Sequence, residues 1–186
     1  IARATAISWL DPQQSPKNAQ TLFKAAHDSS PQVRELAAMR LEGYRSNSPA
    51  PFAELIKHVV PLLSDPVRSV RVAAVQPVAS IPRTLLRSSE RAAFDAAFKE
   101  LEQGLAVNND RAAPYVALGN IYQLLDDDPA AAQAFRKAIF VEPYYTGARA
   151  NTAELLERQA ERRGQRMVAA NVAEARSTDK EEDQLG

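Results

Sequence analysis

Cysteine is absent from this chain of 186 residues, and several other features are scarce. Without a thiol there is no disulfide bond, thiolate metal site or catalytic cysteine. Aromatic residues make up only 6% of the sequence, glycines number six, and no apolar run approaches the roughly 20 residues of a membrane-spanning helix. The 23 basic and 23 acidic residues balance, which argues against a broad surface for nucleic acid or anionic lipid.

The residues that are abundant in the chain favour closely packed helices. Apolar residues make up 45% of the chain, mainly as alanine and leucine, and no segment has the β-branched alternation of a strand. Twelve prolines fall mostly between segments of helical periodicity. Pro61 and Pro77 lie inside such segments and are expected to kink their helices. Helices are predicted at 1–10, 17–27, 31–42, 50–63, 66–80, 88–107, 111–126, 129–141, 144–160 and 164–175.

The segment from Tyr115 to Pro143 carries the most informative pattern. Large residues in its first half face small residues in its second half, where a crossing helix needs room. Gly119 allows close approach of the backbones, and Pro143 is expected to stop the second helix. The positions are Tyr115, Leu118, Gly119, Tyr122, Ala131, Phe135, Ala138 and Pro143. Their spacing resembles a tetratricopeptide (TPR) unit, a helical pair that recurs about every 34 residues.

Partial copies of this unit flank it, so the resemblance covers residues 88–175. Residues 91–107 match the second helix of a preceding unit. A degenerate final unit follows, with its first helix in 144–160 and its second in 164–175. The matching positions are Ala97, Leu101 and Gly104 upstream, and Thr152, Ala153, Leu156, Gln165, Ala169 and Val172 downstream.

A different repeat occupies residues 1–82. The pattern Val-Arg-x-x-Ala, with an aspartate six residues before the arginine, occurs twice at an offset of 37 residues, and a shortened copy opens the chain. This pattern resembles HEAT repeats, in which aspartate and arginine form a ladder of ion pairs between successive repeats. The resemblance implies a ladder of Asp28, Arg34, Asp65 and Arg71, with Arg3 at its end.

Together the two resemblances imply an all-α fold, a right-handed α-α superhelix in the form of a HEAT/TPR solenoid. Its HEAT-like part is 1–82, its TPR-like part is 88–175, and Ser80–Ser89 is the expected joint. The polar residues 176–186 are expected to be disordered.

The first helix of each TPR unit lines the concave face, so the resemblance implies a groove for a partner. TPR domains that clamp a C-terminal carboxylate use two asparagines, and Asn120 and Asn151 stand at those positions. Val116 replaces a clamp lysine, so the favoured interpretation is that the asparagine side chains bond to backbone groups at the helix packing seam. The carboxylate clamp is the alternative. The groove residues are Val116, Asn120, Gln123, Leu124, Ala150, Asn151, Glu154 and Arg158.

Three further features have local explanations. His27 and His58 are the only histidines, and although Glu54 lies one turn before His58, no third or fourth ligand accompanies them, so no metal site is predicted. Asp128 before Pro129 is predicted to cap a helix. Trp9 is expected to pack on the next repeat, with an interface as the alternative.

No nucleophile elbow, phosphate-binding loop or dinucleotide fingerprint occurs, so no enzyme activity and no cofactor are predicted. The first hypothesis is a protein-interaction scaffold that holds a peptide or partner domain in its groove. The alternative arises because HEAT-like repeats followed by TPR repeats are similar to the C-terminal tail of bacterial multihaem c-type cytochromes. That resemblance implies a periplasmic appendage that docks a redox partner or subunit, with an N-terminal portion before Ile1. A third hypothesis is self-association through the Trp9 face.

Overall fold

A computed structural model of the chain describes residues 2–44, 50, 52–107 and 110–182. These residues form helices and no β-strand, which confirms the predicted all-α class. The α-helices are α1 Ala2–Ser8, α2 Pro16–Ala25, α3 Pro31–Arg40, α4 Ala53–His58, α5 Arg68–Ala79, α6 Ser88–Val107, α7 Ala112–Leu124, α8 Asp128–Val141 and α9 Thr146–Glu182. Two short 3₁₀ helices span Val60–Ser64 and Arg83–Leu85.

The chain divides into two compact units, 1–109 and 110–186. The predicted joint Ser80–Ser89 therefore lies inside the first unit, where Ile81 and Leu86 are buried. In this segment Arg83 pairs with Asp95 at 2.9 Å. Residues 91–107, which were predicted to belong to a TPR unit, lie in α6, and this helix packs on α5 and the first 3₁₀ helix.

In the first unit, α3 packs against both α1 and α5, while α2 packs on α3 and α4. The 37-residue repeat explains this arrangement, since its apolar positions are buried in both copies. They are Val33, Ala37 and Leu41 in the first copy, and Val70, Ala74 and Val78 in the second. Trp9, which was expected to pack on the next repeat, is 82% exposed. It follows the last residue of α1, so it does not share the buried face of that helix.

The second unit is built around the α7–α8 hairpin and the first part of α9. Phe135 is fully buried, and a methyl group placed on Gly119 would overlap three atoms of its ring. Ala131 and Phe135 form a core cluster with Leu155 of α9, and Ala138 joins a second cluster with Ala112 and Ala148. The small residues thus bring three helices within packing distance.

Several helix boundaries differ from the prediction. The predicted helices 144–160 and 164–175 are one helix, α9, because the segment contains no proline and Gly164 alone costs only about 1 kcal/mol relative to alanine. Hence the predicted second helix of the last TPR-like unit does not fold back on the first. The helix also includes residues 176–182 of the tail predicted to be disordered, and 183–186 lie outside the described residues.

Other differences are local. The predicted helix 50–63 is α4 followed by a 3₁₀ helix that has Pro61 in its first turn. Pro77 lies inside α5, as predicted. Asp127, rather than Asp128, caps α8, since its side chain accepts a hydrogen bond from Ala130 N–H at 3.1 Å. Pro143 follows the end of α8 by two residues, as its predicted role as a helix stop requires.

The glycine at position 119 provides a stability test. We expect Gly119→Ala to lower the free energy of unfolding of the second unit by about 1–3 kcal/mol, because the methyl group overfills the space occupied by Phe135. Gly164→Ala is the matched control, since a methyl group there meets nothing within 4 Å. Urea unfolding followed by circular dichroism at 222 nm compares the two. Equal midpoints for the two variants would contradict the close contact.

Candidate functional site

Two asparagines face each other on α7 and α9. The side-chain Nδ2 of Asn151 donates a hydrogen bond to Oδ1 of Asn120 at 2.6 Å, and both residues are half-buried. Sequence reasoning expected these side chains to bond to backbone, whereas here they bond to each other. The bond leaves the Nδ2 group of Asn120 and the Oδ1 atom of Asn151 without another protein partner among the described residues. One donor group and one acceptor atom of the asparagine pair therefore remain unbonded in the part of the chain that the structure describes.

The other predicted groove residues divide into three groups. Val116 packs against both core clusters of the second unit, so its side chain contributes to the core. Arg158 pairs with Asp128 of α8 at 3.0 Å and thus points to the helix terminus. The remaining residues are half-buried or exposed beside the asparagine pair on their helices: Gln123, Leu124, Ala150 and Glu154.

Arginines of α9 bind the N-terminus of α8. Arg158 and Arg162 both contact the carboxylate of Asp128, and Arg162 also pairs with Asp126 at 2.7 Å. The pKa of Arg162 is raised by its hydrogen bond to Asp126. From the sequence, Arg158 is assigned to the partner groove, and no contact between these two arginines and α8 is predicted. Their spacing of four residues, opposite three consecutive aspartates, is the signal that could have identified the contact.

In the first unit, arginines connect successive helix pairs. Arg34 binds Asp65 through two hydrogen bonds of 2.7 and 3.0 Å, and Arg71 binds Glu100 in the same bidentate way. Each arginine also donates to the carbonyl six residues before it, at 2.9 Å for Arg34 and 2.7 Å for Arg71. Arg3 pairs with Asp28 at 3.1 Å. The contacts form a continuous series along the unit.

Sequence reasoning missed Glu100 as the last member of this series. Asp65 lies 31 residues after Arg34, and Glu100 lies 29 residues after Arg71. A search for any acidic residue about 30 positions after each arginine could have found it. The longer glutamate side chain reaches Arg71 from the middle of α6.

Asp65 is the most buried carboxylate of the series. Burial opposes its ionisation, but hydrogen bonds from Arg34 and from Val67 N–H outweigh that effect and lower the pKa of Asp65. The hydrogen bond between Arg34 and Asp65 also raises the pKa of Arg34. The pair therefore remains ionised and holds α3 against the start of α5.

The two histidines form a contact between the turn after α2 and the end of α4. Nε2 of His27 lies 2.8 Å from Nδ1 of His58, and Nε2 of His58 lies 3.3 Å from Glu54. Since the neutral His58 ring donates towards Glu54, its Nδ1 atom accepts from His27. Burial, and then the nearby His27, lower the pKa of His58 despite the opposing effect of Glu54. The second unit contains no histidine.

An open cleft of about 560 Å³ is lined by residues of the α7–α8 hairpin, and we name it the α7–α8 cleft. Its lining combines aromatic and small apolar side chains with two cations and no carboxylate. The lining residues are Tyr115, Leu118, Tyr122, Ala130, Gln133, Ala134, Arg136, Lys137 and Phe140. Three of these are the large residues of the repeat pattern, which sequence reasoning assigned to helix packing.

Within the described part of the chain, no cluster of three or more histidine, aspartate or glutamate residues has the geometry of a metal site. None of the described helices combines the length and apolar character needed to cross a membrane. No protein-family model, curated protein or solved structure matches the chain.

The arginine series provides a second stability test. We expect Arg34→Ala to cost about 3–5 kcal/mol, because it leaves the buried Asp65 carboxylate without its cation. Arg3→Ala, the control, should cost at most about 1 kcal/mol, since Arg3 is 67% exposed. Hydrogen exchange of the α3 and α5 amides, read by mass spectrometry, measures both. Similar protection in the two variants would show that the buried pair does not hold these helices.

The histidine contact predicts a pH dependence. Because the pKa of His58 is lower in the folded protein, the unfolded chain binds a proton first, near pH 6.5. Stability is thus full above this pH and falls as the pH decreases towards the folded-state pKa. We expect a lower urea midpoint for the first unit at pH 5.5 than at pH 7.5, and a smaller difference in His58→Gln. An equal change of the urea midpoint with pH in the wild type and in His58→Gln would exclude His58 as the cause.

Proposed function

We propose that this protein is a non-catalytic scaffold that holds a peptide segment of a partner protein along the surface between α7 and α9. The observation that carries this proposal is the Asn120–Asn151 pair. Its free amide group and free carbonyl match the acceptor and donor of a peptide backbone, so one extended segment can bond to both. Asparagine side chains paired in this way are also held in position before the partner arrives.

The surroundings of the pair favour a peptide over a charged terminus. Val116, which stands where a clamp has a lysine, packs into the core, and the guanidinium group of Arg158 is paired with Asp128. Neither position therefore supplies a free cation beside the asparagines. Glu154, which is exposed, adds a negative charge on α9. These features disfavour the carboxylate clamp and support recognition of backbone amides.

We further propose that the helix pairs within each unit stack as turns of a right-handed superhelix. In the first unit this is supported by the order of packing, α1 on α3 and α3 on α5, and by the repeated arginine contacts. In the second unit it is supported by the packing of α9 on both helices of the preceding hairpin. A stack of this kind would give each unit an extended surface for a partner.

The test is photo-cross-linking in cells that express the full chain with a reactive residue at position 150. We expect the double variant Asn120→Ala, Asn151→Ala to lose most of the cross-linked partner. Two lost hydrogen bonds of about 1 kcal/mol each reduce affinity roughly thirtyfold. Gln165→Ala, which removes an exposed amide elsewhere on α9, is the control and should keep the partner. Unchanged recovery from the double variant would exclude this groove.

A further inference from the structure

The α7–α8 cleft lies on the side of α7 opposite the asparagine pair. Tyr115, Leu118 and Tyr122 share one face of α7, and at about 100° per residue Asn120 lies roughly 160° around the helix from the centre of that face. The two surfaces can therefore be changed independently. Whatever binds in the cleft does not need the proposed peptide groove.

The lining of the cleft combines apolar, aromatic and cationic side chains. Leu118 and the almost fully buried Ala134 line it together with the rings of Tyr115 and Phe140, and Phe140 is 79% exposed. Lys137 lies over two of these rings, with its Nζ atom 6.0 Å from the centre of Tyr115 and 5.3 Å from that of Phe140. An exposed aromatic surface of this kind beside cations is typical of a docking site.

The two cations have no anionic partner in the described part of the chain. Arg136 and Lys137 are exposed neighbours on α8, and no carboxylate lines the cleft with them. The aspartates at the start of α8 are engaged by Arg158 and Arg162. A partner that carries carboxylates beside an apolar stripe would complement both the positive charge and the apolar side chains of this surface.

The shape of the cleft favours a helix. It runs between two helices, and its α8 residues, from Ala130 to Phe140, recur every three or four positions over about 15 Å. A third helix of three or four turns can lie along such a channel with one apolar face inward. An extended strand would need free backbone groups, whereas those of α7 and α8 are used within the helices.

We propose that the α7–α8 cleft docks an acidic amphipathic helix of a partner protein. Its apolar stripe lies against Leu118 and the rings of Tyr115 and Phe140. Its carboxylates, one turn apart at the edge of that stripe, pair with Arg136 and Lys137.

The experiment uses the full chain and three fluorescent 16-residue peptides. The first forms a helix with a leucine stripe flanked by glutamates, the second has lysine in place of every glutamate, and the third has the first peptide's composition in scrambled order. Anisotropy titrations measure the affinity of each. We expect the glutamate helix to bind at least tenfold more tightly than the other two.

A charge-reversed variant decides whether the cleft is responsible. In Arg136→Glu, Lys137→Glu we expect the preference to reverse, so that the lysine helix binds more tightly than the glutamate helix. Arg163→Glu, Arg166→Glu makes the same change of charge at exposed positions of α9 and should keep the wild-type preference. The variant Asn120→Ala, Asn151→Ala should also keep it, which separates this proposal from the peptide groove.

Several results would overturn the proposal. If the scrambled peptide bound as tightly as the glutamate helix, the binding would be non-specific charge attraction. Retention of the glutamate preference by the charge-reversed variant would place the binding elsewhere. Sodium oleate binding in the cleft while the glutamate helix does not bind would make the occupant an anionic lipid. Light scattering that shows self-association of the wild type, lost in the charge-reversed variant, would make it a second copy of the chain.

Discussion

The contact between Gly119 and the ring of Phe135 is the interaction on which the second unit depends. Because position 119 has no side chain, the ring fills the space between α7 and α8, and the same ring packs with Leu155 of α9. One aromatic residue thereby fixes the relative positions of α7, α8 and α9. The Asn120–Asn151 hydrogen bond follows from that relation, since Asn120 is adjacent to Gly119 and Asn151 lies one turn before Leu155.

Small residues and ion pairs have complementary roles in the two units. In the second unit, alanine and glycine allow helices to approach, and polar side chains remain available at the surface. In the first unit, bidentate arginines bind the carboxylates of the next helix pair and the carbonyls of their own loop. Because desolvation offsets much of the attraction in a buried pair such as Arg34–Asp65, we expect it to fix the register of the helices more than to add stability.

The sequence was sufficient to predict those helices whose packing contacts lie close along the chain or recur at a fixed spacing. The spacing from Tyr115 to Pro143 identified the α7–α8 hairpin, and the 37-residue repeat identified the buried positions of α3 and α5. It was insufficient where two outcomes have similar energies. A turn near Gly164 and a continuous α9 differ by little in local propensity, and only tertiary packing decides between them. Likewise, the composition of the α7–α8 cleft depends on which face of each helix remains uncovered, which no single-helix pattern specifies.

The central claim is that the Gly119–Phe135 contact and the asparagine pair belong to one packed arrangement of α7, α8 and α9. A nuclear Overhauser spectrum of the protein in solution measures both at once. We expect cross-peaks between the Phe135 ring and the Gly119 α-protons, together with cross-peaks between the side-chain amide of Asn151 and the β-protons of Asn120. Absence of both sets of cross-peaks, in a protein whose circular dichroism remains helical, would contradict the account.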